Sequence, residues 1–337
     1  MKNMLYTLKK RRSNMKINEL EVGRIVDIIL VVKSATARET KAKKPYLSLE
    51  FYDGVDTING NYWDWGGTNI PVKNTVLDVK AQVTEWQGTK QLNVKAMSTN
   101  NEIPLSAFAP SSGIDVNAVY SNAYALMSDV KDEFLRGLAL SMLEELQTAW
   151  LTVPGAKSIH HAYIAGTLIH SYSVACLAKH IAEQVPGANA DLCTVGGMLH
   201  DLGKLYTYTL NGVSIDMTDD GMMYEHLFMG AEFVGNYADN HFTMNDLNTR
   251  KLAMLRHIIL SHHGKLEHGA VTVPLSIEAH IVYHADAIDA AAEQVRASSA
   301  KVGNVQWTDR IWALENRPHL TTQYVAEVMK SRSVEKE

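Results

Sequence analysis

Cysteine is scarce: the 337 residues contain only Cys176 and Cys193, both in apolar, helix-like surroundings. Two thiols in so long a chain exclude a disulfide framework and point to a reducing compartment. No run of about 18 apolar residues occurs, which argues against a membrane span. The basic cluster Lys9, Lys10, Arg11, Arg12 leads into Ser13-Asn14-Met15-Lys16 instead of an apolar stretch, so it is not a secretory signal, and the cytoplasm is the expected location. Histidine is missing from the first 159 residues. What is present is ordinary for a globular chain: 46% hydrophobic, 20% charged and 8% aromatic residues, which exclude disorder and a collagen-like fibre. At roughly 100–200 residues per domain, the length predicts two domains, each with its own core.

Charge and histidine divide the chain in the same sense. Residues 1–100 carry a net +6 and the remainder −11, although the net charge of the whole is only −5. Most of the positive excess lies in residues 1–16, which have six basic and no acidic groups, and Met15 is an alternative start that would remove most of them. The basic half is therefore weak support for a polyanionic partner. All 14 histidines fall between His160 and His319. Two different kinds of domain are joined, and the second one uses imidazole.

Residues 17–100 read as strands. Gly23–Lys33 is β-branched and apolar, and Tyr46–Gly54 alternates and ends in a turn signal. Asp56–Trp63, Thr75–Val83 and Lys90–Ala96 follow, with Trp86-Gln87-Gly88-Thr89 as a hairpin turn between the last two. Five short strands in about 80 residues suit a small barrel such as the OB-fold. Pro104, Pro110, Ser111, Ser112 and Gly113 mark an irregular connection. From about residue 115 the apolar spacing becomes helical, as in Phe134, Leu135, Leu138, Leu140, Met142, Leu143 and Leu146. Further helices are expected near 160–185, 190–201, 224–239, 245–261 and 275–298. The fold class is thus α+β and multidomain, a five-stranded barrel followed by an all-α domain. The expected divisions are a basic tail 1–16, a barrel 17–100, a linker and connecting helix 101–150, a helical domain 151–320 and a tail 321–337.

The helical part offers His170, His200-Asp201, His226, His262-His263 and Asp286. Imidazole and carboxylate suit borderline and hard divalent ions, and a mixed set contributed by separate helices can enclose one or two of them. His200 and Asp201 lie about 100° apart on a helix, so both can reach one ion beside it. Lys204 follows one turn later, placed to meet an anionic substrate. By contrast, lone helical histidines such as His180, His241, His257 and His319 are ordinarily surface or satisfied core residues. His280 and His284, four apart, are a weaker candidate pair.

The segment Met198-Leu199-His200-Asp201-Leu202-Gly203-Lys204 resembles the signature of the HD superfamily of metal-dependent phosphohydrolases. Within it, the chain is similar to the YhaM family of 3′→5′ exoribonucleases. The similarity is carried by His160–His170, by Ser261-His262-His263-Gly264-Lys265 with Glu267 and Gly269, by Glu278–Ala290 and by Ala313-Leu314-Glu315-Asn316-Arg317. It spans about 17–320; Lys33–Thr36 and Tyr62-Trp63-Asp64 fall where that family's N-terminal OB-fold has similar segments. The basic residues 1–16 and the alanine-rich run after Asp286 depart from the family. The resemblance implies that His170, His200, Asp201 and Asp286 bind a first ion and that His226 and His262 occupy second-ion positions. It further implies that His263 is an alternative ligand or proton donor and that Lys204 lies near the scissile phosphate. Mn²⁺ is the ion it favours, ahead of Mg²⁺, Co²⁺, Ni²⁺ or iron.

Those groups can hydrolyse a phosphodiester. A divalent ion acidifies water near pH 7, Asp201 is a candidate bridging ligand, and Lys204 stabilises charge on non-bridging oxygens. His226 or His263 can supply a proton to the departing 3′ oxygen. Attack at the last linkage releases a nucleoside 5′-monophosphate. Aromatic faces and cations hold single strands; here the candidates are Tyr62, Trp63, Trp65 and Trp86 with Lys33, Lys41, Lys43 and Lys44, accompanied by Tyr46, Phe51 and Arg38. Single-stranded RNA or DNA is the expected partner, with no membrane, and a homo-oligomeric state is left open. Two other functions compete with a 3′→5′ exonuclease: an HD phosphohydrolase acting on free or signalling nucleotides, and a non-catalytic nucleic-acid-binding protein.

Overall fold

The computed structural model describes residues 15–157 and 161–331. Most of the basic tail, His160 and the last six residues of the expected C-terminal tail lie outside the described residues. The chain forms two compact units. The residues up to Pro110, together with Asn211–Ser214, make one; Ser111–Leu210 and the residues from Ile215 onward make the other.

The first unit is built on a closed five-stranded barrel in the order β1-β2-β3-β5-β4. Its strands are β1 (Ile25–Glu39), β2 (Pro45–Tyr52), β3 (Thr57–Tyr62), β4 (Val76–Trp86) and β5 (Thr89–Thr99). The β1–β2, β2–β3, β4–β5 and β1–β4 pairs are antiparallel, and β3–β5 is parallel. Alternation decides the faces: Leu47, Leu49 and Phe51 point inward and are buried, while Tyr46, Ser48 and Glu50 between them point outward. Trp86 pairs with Thr89, closing the expected two-residue hairpin. Closure leaves no unpaired sheet edge. Expected and observed strands coincide in number and order; β1, β4 and β5 run three to six residues further at their C-terminal ends than their apolar patterns, whereas β2 and β3 end within two residues of theirs. Ladder hydrogen bonds continue into residues whose side chains are exposed, and periodicity does not report those.

The second unit is helical: α1 (Val116–Ser128), α2 (Glu133–Glu145), α3 (Gln147–Trp150), α4 (Gly166–Gln184), α5 (Ala190–Leu199), α6 (Lys204–Thr207), α7 (Asp219–His241), α8 (Asp246–Ser261), α9 (Ile277–Val302) and α10 (Thr322–Ser331). Short polar side chains start most of them. Asp115, Asp132, Asn189, Thr218, Asn245 and Ser276 each accept a backbone N–H of the first turn of the helix that follows. The stretch 101–150, read from sequence as linker and connecting helix, contributes α1–α3 to this unit's core through Met127, Leu138, Met142, Leu143 and Trp150. Trp150 is fully buried and its Nε1 donates to the Met142 carbonyl at 3.3 Å. A short hairpin, β6 (Tyr208–Asn211) and β7 (Ser214–Met217), interrupts the helices where sequence shows only the Asn211-Gly212 break. Among the described residues no helix is long and apolar enough to cross a membrane.

Candidate metal centre

Five segments of the helical unit converge. His170 comes from α4, His200 and Asp201 from the end of α5, His226 from α7, His262 and His263 from the end of α8, and Asp286 from α9. Local backbone allows the approach. A side-chain carbon on Gly203 would lie 2.0 Å from the His226 carbonyl oxygen, so the turn after Asp201 can meet α7 only as glycine. Just before His226, Glu225 breaks the helical dihedrals of α7 with φ 60° and ψ 158°, a conformation costing about 1–3 kcal/mol for a non-glycine residue.

Four ligand atoms face one point. His170 Nε2 lies 3.2 Å from His200 Nε2, 3.3 Å from Asp201 Oδ2 and 3.1 Å from Asp286 Oδ1. His200 Nε2 lies 3.4 Å from Asp201 Oδ2 and 4.0 Å from Asp286 Oδ1. Atoms bound at about 2.0–2.2 Å to one tetrahedral ion stand roughly 3.3–3.6 Å apart, so these spacings suit a shared cation. The other oxygen of Asp201 faces a second group: Oδ1 is 3.4 Å from His226 Nε2 and 3.5 Å from His262 Nε2. The ligand atoms of His226, His262 and His263 also lie within 4.8 Å of one another. Asp201 thus turns one oxygen to each set.

The remaining ring nitrogens explain why the Nε2 atoms point inward. His200 Nδ1 donates to the Gly197 carbonyl at 2.8 Å, and His262 Nδ1 to the Ile259 carbonyl at 2.8 Å. His170 Nδ1 donates to Asp289 Oδ2 at 2.7 Å, and His263 Nδ1 to the His268 carbonyl at 3.0 Å. With Nδ1 occupied by its proton, each ring turns Nε2 inward, where a bound cation would take the lone pair in place of a second proton. His226 differs, since its Nδ1 faces the exposed Glu225 carboxylate at 3.8 Å.

Electrostatics show the same demand for positive charge. Burial opposes ionisation of Asp201, but Lys204, His200 and His170 outweigh it and hold the carboxyl well below its usual range. Asp286 is lowered as well, burial again being overcome by His170. Burial disfavours the His170 cation, yet Asp201, Asp286 and Asp289 raise its pKa well above the ordinary imidazole value. Burial lowers His200 and His226, and burial with His262 and His226 pushes His263 down to about 3, so His263 is neutral near pH 7. Lys204, expected beside an anionic substrate, is buried with Nζ 2.7 Å from Asp201 Oδ2. Asp201 Oδ1 and His226 Nε2 are buried and make no hydrogen bond. Orphaned polar atoms, imidazole lone pairs and two ionised carboxylates fit a divalent cation.

Residues 167–291 match the family model of the HD domain. HD domains form a superfamily of metal-dependent hydrolases, and the match contains every candidate ligand in the helical unit. Among solved structures the chain is similar to a domain of replication protein A from Methanococcus maripaludis, at 24% identity over 25% of this chain and 92% of that chain, with TM-score 0.23. It is also similar to the second OB-fold domain of that replication protein A, at 18% identity over 27% and 97%, with TM-score 0.22. A putative aspartyl-tRNA synthetase from Leishmania major Friedlin matches at 18% identity over 41% and 32%, with TM-score 0.19. Likenesses this low carry no argument, and the OB-like assignment rests on the barrel's own strand order.

Two residues behind the HD centre, His161 and Asp289, figured in the sequence only within the motifs His160–His170 and Glu278–Ala290, without a role of their own. The available signal for Asp289 was its place one turn after Asp286 on α9. Among the described residues the other histidines do not join the centre. His257 Nε2 accepts the Leu275 N–H at 3.0 Å, His241 Nδ1 donates to the Tyr237 carbonyl at 2.9 Å, and His280 and His284 are exposed.

The barrel candidates are scattered over its surface. Lys41, Lys43 and Lys44 are exposed in the β1–β2 turn, and Trp86 is 67% exposed at the β4–β5 hairpin. Trp63, 43% exposed, stacks on Tyr46 with ring centroids 4.5 Å apart. Tyr62 and Trp65 pack partly against the core, and Phe51 is fully buried. Lys33 is engaged by Glu50 at 3.6 Å, which leaves it a poorer cation for a backbone phosphate than the turn lysines.

Proposed function

We propose that this chain is a metal-dependent 3′→5′ exonuclease that hydrolyses single-stranded RNA, and single-stranded DNA as a second substrate, to nucleoside 5′-monophosphates. The observation that carries the reading is the division of Asp201 between two ligand sets, His170, His200 and Asp286 on one oxygen and His226 and His262 on the other. Divalent cations held there, with Mn²⁺ favoured, supply Lewis acidity to the phosphate and acidify water. Lys204 keeps a fixed positive charge beside Asp201 and stabilises charge growing on the non-bridging oxygens. His226 and His263 enter as neutral imidazoles. His263, outside the two sets around Asp201, can take a proton from the attacking water and return it to the departing 3′ oxygen. The turn lysines 41, 43 and 44 and the Tyr46–Trp63 stack offer cationic and aromatic contacts for the strand.

The test incubates the purified chain with Mn²⁺ and a 5′-labelled single-stranded oligonucleotide. A ladder shortening from the 3′ end is expected. Cleavage of mononucleotides with an untouched oligomer would instead favour a nucleotide phosphohydrolase, and a retarded but uncut oligomer a binding protein.

A further inference from the structure

Behind His170 lies a second, fully hydrogen-bonded row of side chains. Asp289 Oδ2 accepts His170 Nδ1 at 2.7 Å and His161 Nε2 at 2.8 Å, while the Ser173 hydroxyl donates to Oδ1. The far nitrogen of His161, Nδ1, is 2.6 Å from the Tyr163 hydroxyl. These contacts are too short for ligands sharing one ion, which stand about 3 Å or more apart; they are hydrogen bonds. Their directions follow from the donors available. Tyr163 gives its proton to His161 Nδ1, His161 Nε2–H and His170 Nδ1–H point at Asp289, and the His170 Nε2 lone pair is left for the centre.

The backbone is shaped to keep His161 there. His161 is buried in the left-handed region at φ 51°, and its carbonyl accepts Gly155 N at 2.9 Å and Tyr163 N at 2.8 Å. A side-chain carbon on Gly166 would stand 1.9 Å from that carbonyl oxygen.

We propose that Tyr163, His161 and Asp289 act as one positioning relay that fixes the ring and tautomer of His170 and thereby sets how tightly the centre holds a divalent cation. This rests on the cation-binding reading above. None of the three residues is a ligand; they act through His170, as carboxylate partners of ligand imidazoles do.

The test measures Mn²⁺ dissociation constants by calorimetry on the full chain, with thermal melts of the metal-free protein alongside. His161→Gly removes the ring and tolerates the left-handed backbone, and His161→Asn, which also accepts that conformation, serves if the glycine variant fails to fold. Tyr163→Phe removes one hydroxyl only. Each His161 variant is expected to weaken Mn²⁺ binding about 10–100-fold, and Tyr163→Phe by less in the same direction. Combining His161→Gly with Asp289→Asn should weaken binding no further than Asp289→Asn alone, because both act along one path. Wild-type Mn²⁺ affinity in a folded His161 variant, or additive losses in the double variant, overturns the relay. His170→Ala separates the two claims: if it too binds Mn²⁺ with full affinity, the cation reading itself fails, whereas a loss in His170→Ala without one in His161→Gly removes the relay alone.

Discussion

In the barrel, the candidates most open to solvent, Trp86 and the lysines 41, 43 and 44, sit at the β4–β5 hairpin and in the β1–β2 turn. In the helical unit, His170, His200, Asp201 and His262 are all nearly or wholly buried and come from three helices, α4, α5 and α8. The contrast separates two kinds of recognition. Exposed cations and rings act additively, yield to salt and tolerate replacement one at a time. Buried imidazoles and carboxylates act as a unit, because each must be held by the others or by a cation.

Damage confined to the buried set has the largest expected effect. His200→Ala and Asp201→Ala should each lower oligonucleotide hydrolysis by on the order of 10³-fold or more, while gel-shift affinity for a single strand stays largely unchanged. Full activity in either variant would remove the metal assignment. The converse damage is milder. Replacing Lys41, Lys43 and Lys44 together by alanine should reduce the slope of log affinity against log salt by about 2, at roughly 0.7 for each phosphate no longer neutralised. Trp63→Ala should weaken strand binding by about 1–3 kcal/mol if a base stacks there, readable by fluorescence titration. A salt slope unchanged in the lysine variant would place the strand elsewhere.

Chelation sharpens the same contrast through stability. A cation present at about 100 times its dissociation constant stabilises the unit that binds it by about 2.7 kcal/mol. EDTA should therefore lower the melting of the helical unit by several degrees and leave the barrel's melting unmoved, as scanning calorimetry would resolve. Smallest is the effect of a helix cap that belongs to neither set of candidate residues. Asp132 caps α2 and pairs with Lys251 at 2.5 Å; burial opposes its charge, but Lys251 and the helix N–H groups lower its pKa. Asp132→Ala should cost about 1 kcal/mol at pH 7. A carboxylate with a lowered folded pKa stabilises above its unfolded value near 4 and loses that contribution as pH falls through the folded value. The gap between wild type and variant in urea unfolding should accordingly close on acidification.

The barrel was legible because its rule is local. Alternation in Tyr46–Tyr52 and the turn at Gln87-Gly88 are written within a few residues each, and they matched the strands found. The centre was legible in part: residue types and the His200-Asp201 pair pointed to a cation site, and the candidate ligands proved to be neighbours in space. Three features were not readable. The role of Asp289 depends on His170 and His161 lying behind the same oxygen. The pairing of Lys204 with Asp201 depends on how the turn after α5 closes. The membership of α1–α3 in the helical core depends on packing partners far along the chain, while composition around 101–115 signals only irregularity.

The five barrel strands, most of the long helices and the ligand types of the second half follow from the residues and their near neighbours, because hydrophobic period and ligand type are local properties, whereas the β6–β7 hairpin and the helix Thr322–Ser331 were not legible there. Only the tertiary structure decided which oxygen of Asp201 faces which imidazoles, which nitrogen of each ring is free, and which carboxylate stands behind His170. Those are distances of a few ångströms between residues far apart along the chain, and only the packing of the helices around one core brings such atoms together.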